Sequence, residues 1–100
     1  MMSNSPISRV VVIQNEQGLH ARPAEMFVRL AQQFESKLCV VKEGYRVEAR
    51  SIMDLLTLGA AKGTELLLEA DGPDAQEAVD ALAKLVEEGF PREDEGETGQ

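Results

Sequence analysis

Apolar residues recur along the chain with two different periods, and the changes of period divide it into seven segments. Four runs rich in β-branched and apolar residues are typical of strands: residues 7–13, 37–42, 45–49 and 64–70. Apolar positions three or four residues apart follow Ala21 and Asp74, and they predict two amphipathic helices. A shorter helix is predicted to open at Ser51. The order β-α-β-β-α-β-α indicates an α+β fold.

Two helix starts carry the spacing of a capping box. Ser51 stands three residues before Asp54, and Asp74 stands three residues before Glu77. In such a pair the first side chain accepts a hydrogen bond from an N–H group of the first helical turn. Both short polar residues are therefore predicted to cap the helices that follow them.

A chain of 100 residues makes one domain with one modest core. Four strands covered by all the helices on one face would form a two-layer, open-faced sandwich, because such a sheet has a single apolar face to bury. Residues 7–90 are predicted to form this domain. The polar residues 1–6 are predicted to be a flexible N-terminus, and residues 91–100 an acidic disordered tail.

The charge balance excludes several classes of function. The net charge is −8, whereas nucleic acids and anionic membrane surfaces attract basic proteins. The N-terminus lacks the apolar core of a signal peptide, and no apolar run approaches the ~20 residues of a membrane span. We therefore expect no nucleic-acid binding, no membrane insertion and a cytoplasmic location.

The chain has one cysteine and one histidine, and they lie in different predicted elements. Cys39 has no second cysteine to pair with, and its place in an apolar strand predicts a small buried hydrophobe. One His and one Cys in separate elements do not make a ligand cluster, so no metal site is expected. No other cofactor is expected either.

The candidate chemistry lies where the first strand gives way to the first helix, in the sequence GLHARPA at residues 18–24. Pro23 suits a first helical turn, where N–H groups have no intrahelical partner and attract anions. Arg22 adds a planar guanidinium that matches phosphate oxygens. A nucleophilic imidazole at His20 beside a phosphate site would be a phosphoryl acceptor. On the residues alone, a polar loop histidine or helix cap beside a solvated arginine explains the pattern too.

Two blocks of the sequence resemble one protein family. The string GLHARPAE, from Gly18, is similar to the active-site stretch of HPr, the histidine-containing phosphocarriers of the bacterial phosphoenolpyruvate–sugar phosphotransferase system. The string SIMDLLTLG, at residues 51–59, resembles the regulatory segment of that family. The resemblance extends from residue 7 to residue 88. It implies that the four strands form an antiparallel sheet and that the short helix lies near His20.

The resemblance also implies a carrier role rather than an enzyme activity. His20 would take a phosphoryl group from phosphorylated enzyme I and pass it to an A-type enzyme II component, which is specific for a sugar. Arg22 matches the arginine of the family and would balance charge on the phosphoryl group. Two alternatives remain: a regulatory adaptor similar to HPr, and a carrier in a nitrogen-related phosphorelay.

The resemblance assigns a regulatory role to the start of the short helix. Ser51 matches the serine that HPr kinase/phosphatase modifies in many bacteria, and a transcriptional regulator would be a further partner; the alternative for Ser51 is a helix cap. Ile52, Met53 and Leu56 would form an apolar docking patch. Their alternative is a place in the core, although other leucines of this helix could supply its buried side.

Overall fold

The computed structural model describes residues 6–91, which form seven elements in the predicted order. The strands are β1 (Ile7–Val12), β2 (Lys37–Lys42), β3 (Tyr45–Glu48) and β4 (Glu65–Asp71). The helices are α1 (Ala21–Ala31), α2 (Ile52–Thr57) and α3 (Ala75–Glu87). Apart from Pro6 and Pro91, the predicted flexible N-terminus and acidic tail lie outside the described residues.

The four strands form one antiparallel sheet in the order β1-β4-β2-β3. Strand β4, the last of the four strands in the sequence, therefore lies inside the sheet and pairs with both β1 and β2. Side chains alternate across it, since Leu66, Leu68 and Ala70 are buried while their neighbours are more exposed. The predicted two-layer, open-faced sandwich is confirmed.

The helices cover one face of this sheet and bury their apolar sides against it. The buried positions of α1 are Pro23, Ala24, Phe27, Val28 and Ala31, and those of α3 are Ala75, Ala78, Val79, Leu82, Ala83 and Val86. Alanines are frequent in both sets, and their small side chains let the helix backbones pack closely. Phe27 is the largest of the fully buried side chains, and replacing such a residue by alanine costs roughly 3–5 kcal/mol. Within residues 6–91, no helix combines the length and apolar content needed to cross a bilayer.

The prediction of a buried Cys39 is wrong. In β2, Leu38 and Val40 point to the helix layer and are buried, so Cys39 lies on the open face and is only half-buried. Partial burial raises the pKa of the Cys39 thiol, and the negative charge of Glu48 on the neighbouring strand adds to this rise. An apolar strand sequence therefore did not reveal which face the helices cover.

The predicted capping box of Asp74 is also wrong. Asp74 occupies the N-cap position of α3, yet its side chain makes no capping bond. Its carboxylate instead accepts hydrogen bonds from Ser36 N (2.9 Å), Ser36 Oγ (2.6 Å) and Glu35 N (2.9 Å). The bond from the Ser36 hydroxyl, followed by that from Glu35, lowers the pKa of Asp74. The Asp74 carboxylate thus pairs the N–H groups of the turn between α1 and β2, and it connects that turn to the start of α3.

Candidate functional site

The turn that leads from β1 to His20 is held by hydrogen bonds between its own residues. The Gly18 N–H donates to the carbonyl oxygen of Asn15 (3.1 Å), and the Asn15 side chain donates through Nδ2 to the carbonyl oxygen of Gly18 (2.7 Å). The same Gly18 oxygen accepts the His20 N–H at 3.0 Å. The backbone is thereby fixed up to the first residue of the site.

Gly18 also brings this turn against the loop that follows α2. Its φ of +72° lies in the left-handed region that favours glycine, and a Cβ there would clash with the carbonyl oxygen of Ala60. The next residue, Leu19, donates its N–H to that oxygen at 2.8 Å. Gly18 therefore has a backbone role here, because its conformation and its lack of a Cβ allow the close approach of the second loop.

His20 occupies the N-cap position of α1, with an exposed side chain. Its backbone is extended (φ −93°, ψ −167°), and its ring makes no capping bond. Pro23 has no N–H to offer, and among the described residues the N–H groups of Ala21 and Arg22 have no hydrogen-bond partner. The ring therefore stands beside an open, positive helix end, where an anion is stabilised.

The arginines near the site differ in availability. Arg29 pairs with Glu25 at 3.0 Å along the same helix. Arg50 donates to the carbonyl oxygens of Phe34 and Ser36 (2.6 and 3.0 Å), so it serves the fold. Within residues 6–91, Arg22 forms no ion pair, and it is exposed next to His20. Its guanidinium remains available for an anion.

His20 and Arg22 line one open cleft, whose far wall is the end of α3. That end closes with two hydrogen bonds, from Gly89 N to Val86 O and from Phe90 N to Leu85 O, both 3.0 Å. This is the Schellman arrangement, in which a glycine and a following apolar residue finish a helix. Phe90 lies buried in the wall of the cleft. The sequence analysis did not identify Phe90 as part of the site, although a glycine followed by an apolar residue after a predicted helix is a sign of this contact.

Ser51 caps α2 as predicted. Its hydroxyl accepts the Asp54 N–H at 3.1 Å, while its own N–H donates to the carbonyl oxygen of Glu48 (3.3 Å). The reciprocal bond of a full capping box is therefore replaced by a backbone bond to β3. Helix α2 packs against α1, the helix that carries His20 and Arg22.

The two faces of α2 are divided as the sequence suggested. Leu55 and, just after the helix, Leu58 are buried, with 0% and 4% of their surface exposed. Ile52, Met53 and Leu56 expose 37%, 72% and 36%. The core alternative for these three residues is thus excluded for Met53, and it holds only in part for the other two. They form an exposed apolar strip, which we call the α2 strip.

Comparison with known proteins shows which family the chain is similar to. A family model described as "PTS HPr component phosphorylation site" matches residues 7–88. The phosphocarrier protein HPr of Treponema pallidum is 38% identical over 87 residues, covering 87% of this chain and 99% of the relative. The HPr-like protein Crh of Bacillus subtilis is 43% identical over 82 residues, covering 82% and 96%.

Solved structures agree as well. The crystal structure of HPr-C-His from Thermoanaerobacter tengcongensis superimposes with a TM-score of 0.82 at 41% identity, covering 87% of this chain and 98% of that one. The residues that the family model matches, 7–88, include all seven elements and the loop that carries His20. The chain belongs to the HPr family of phosphocarrier proteins of the phosphotransferase system.

Proposed function

We propose that His20 accepts a phosphoryl group from phosphorylated enzyme I and passes it to an A-type enzyme II component. The observation that carries this proposal is the exposed imidazole at the open start of α1, beside the guanidinium of Arg22, which forms no ion pair within residues 6–91. A ring nitrogen attacks phosphorus as the bond from phosphorus to the donor side chain breaks, and the bonding electrons return to the donor. In the second transfer, a side chain of the next protein attacks phosphorus, and the bond between phosphorus and His20 breaks.

The chain's own groups balance charge in this transfer. The N–H groups of Ala21 and Arg22 and the Arg22 side chain can donate to phosphoryl oxygens, in addition to the helix dipole. They lie at the surface, so the phosphorylated ring remains accessible to a second protein. Such partial stabilisation suits a carrier, because a deeply caged phosphoryl group would not leave again.

We propose the α2 strip as the apolar part of the docking surface. Ile52, Met53 and Leu56 expose much of their side chains on a helix that packs beside α1. Two of the three nearby arginines are already engaged, which leaves Arg22 as the available cation of this set. Partner recognition should therefore depend more on apolar contact than on charge pairing.

A regulatory role at Ser51 is the second proposal. A phosphate there would lie at the N-cap of α2, next to the docking surface, and would add about two negative charges. HPr kinase/phosphatase would add it, and a transcriptional regulator would recognise it. The similarity to Crh, which is described as the catabolite repression HPr of Bacillus subtilis, supports the adaptor alternative. A nitrogen-related phosphorelay would use the same histidine chemistry.

Incubation with phosphoenolpyruvate and enzyme I, followed by intact-mass measurement, tests the main proposal. We expect the mass of one added phosphoryl group, stable in alkali and lost in acid, as for a phosphoramidate. His20→Ala should abolish it while the far-UV circular dichroism spectrum stays unchanged. Labelling that persists in His20→Ala would place the phosphoryl group elsewhere and contradict the proposal.

A further inference from the structure

The amide of Asn15 has an unusual combination of contacts. Its Nδ2 donates to the carbonyl oxygen of Gly18 at 2.7 Å, which is short for a bond from nitrogen to oxygen. This contact also defines which end of the amide is which, because the reverse orientation would set two carbonyl oxygens against each other. Asn15 is therefore a donor to the turn that carries His20.

The oxygen of the same amide makes no comparable contact. Asn15 Oδ1 is buried and has no hydrogen-bond partner among the described residues. A buried, unpaired acceptor costs stability, and that cost offsets much of what the Nδ2 bond contributes. Stability alone therefore does not explain an asparagine at this position.

The bond does, however, control the backbone that presents His20. The Gly18 carbonyl oxygen accepts both Asn15 Nδ2 and the His20 N–H, the latter at 3.0 Å. The Gly18 N–H in turn donates to the Asn15 carbonyl oxygen at 3.1 Å. Asn15 is thus bonded to both the N–H and the C=O group of Gly18, through its own carbonyl oxygen and its side-chain amide. The Gly18 oxygen then sets the direction of the His20 N–H and, with it, the start of α1.

We infer that Asn15 is a positioning residue for phosphotransfer at His20. This inference rests on the proposed function of His20 as the phosphoryl acceptor. Asn15 acts through Gly18 and does not bind the phosphoryl group, because its free Oδ1 is an acceptor, like the phosphoryl oxygens themselves. Its side chain keeps the imidazole aligned with the unpaired N–H groups of the helix start, and alignment of this kind controls the rate of transfer.

The test compares three variants in transfer from enzyme I. Asn15→Ala removes both ends of the amide, and Asn15→Asp keeps the shape but replaces the donor by an acceptor. Gln14→Ala is the matched control, since Gln14 donates through an amide to the Val12 carbonyl oxygen (3.1 Å), away from the His20 backbone. With the carrier as the substrate of enzyme I, we expect both Asn15 variants to lower kcat about tenfold and to leave the KM for the carrier unchanged. The control should be phosphorylated at the normal rate.

Two further measurements separate positioning from folding. The melting temperature of Asn15→Ala should shift no more than that of Gln14→Ala, because the buried acceptor is lost together with the bond. The His20 amide hydrogen should exchange faster in Asn15→Ala than in the wild type or the control. A kcat equal to that of the control, or a loss that simply follows a lower melting temperature, would overturn the inference.

The proposed function and the inference fail in different ways. If the wild type takes no phosphoryl group at all, the proposed function is wrong, and the His20 amide exchange still decides whether Asn15 orients the turn. If the wild type is labelled and the Asn15 variants match the control in both rate and exchange, only the inference is wrong.

Discussion

Replacing Gly18 by alanine should damage the fold and the site together. The residue has a φ of +72°, and an added Cβ would clash with the Ala60 carbonyl oxygen and lie 2.9 Å from Ala61 Cα. Both contacts are with backbone, so neither neighbour can rotate out of the way. The turn and the loop after α2 must separate, which would break the bond between Leu19 N and Ala60 O.

The expected loss has two parts. Holding a residue with a Cβ in the left-handed region costs about 1–2 kcal/mol. Losing the bond from Leu19 to Ala60 adds about 1 kcal/mol. The sum is about 2–3 kcal/mol, which corresponds to a fall of roughly 10–20 °C in the melting temperature of a domain this small.

Gly59→Ala is the matched control. Gly59 has a similar φ of +59°, but nothing lies within 4 Å of its added Cβ, so it should show the conformational cost alone. Both variants can be followed by far-UV circular dichroism, because the chain has no tryptophan and one tyrosine. Gly18→Ala should be the less stable by about 1 kcal/mol or more, and should transfer phosphate more slowly even where it is fully folded. Equal losses of stability would refute the argument from close approach.

Three further predictions follow from other contacts. Arg22→Ala should slow phosphotransfer at an unchanged melting temperature, because the side chain is exposed and unpaired among the described residues; a fall of several degrees with a normal rate would make Arg22 structural. Ser51→Ala should lose about 1 kcal/mol as a missing cap and transfer normally, whereas Ser51→Asp should transfer more slowly at low salt than at high salt; equal rates for both variants at both salt concentrations would leave Ser51 as a cap alone. The lowered pKa of Asp74 means that its carboxylate stabilises the fold above about pH 4, and that this contribution is lost as the pH falls through the folded-state pKa. Asp74→Asn should therefore flatten the acid limb of a denaturation curve relative to Asp71→Asn, and matching acid limbs would contradict the role of Asp74.

The order of the elements could be predicted because it depends on contacts between near neighbours in the chain. The observed strand ends differ from the predicted ones by at most one residue, since hydrophobic period and turn residues act locally. The same reasoning separated the buried Leu55 from the exposed Met53 on α2, because residues four apart share a helix face and residues two apart do not. His20 at the start of α1 is local in the same sense.

Partners distant in sequence had no such signal. Asp74 and Ser36 are 38 residues apart, and the carboxylate that was predicted to cap α3 accepts hydrogen bonds from the turn between α1 and β2. Cys39 belongs to a strand that is apolar on both faces, so only the packed helices decide which face is buried. Arg50 has the charge of a docking residue, but two backbone carbonyl groups hold it.

By itself, the sequence determined the elements and the place of His20 at a helix start, because each rests on periods and spacings of a few residues. The sequence left two alternatives for Ile52, Met53 and Leu56, and the exposures in the folded chain decided between them. The tertiary structure alone decided the strand order and the meeting of Gly18 with Ala60. It also decided that Phe90 forms part of the wall of the cleft beside His20. These features arise when the fold brings together segments that are tens of residues apart. The local sequence pattern does not indicate which of these segments will be in contact.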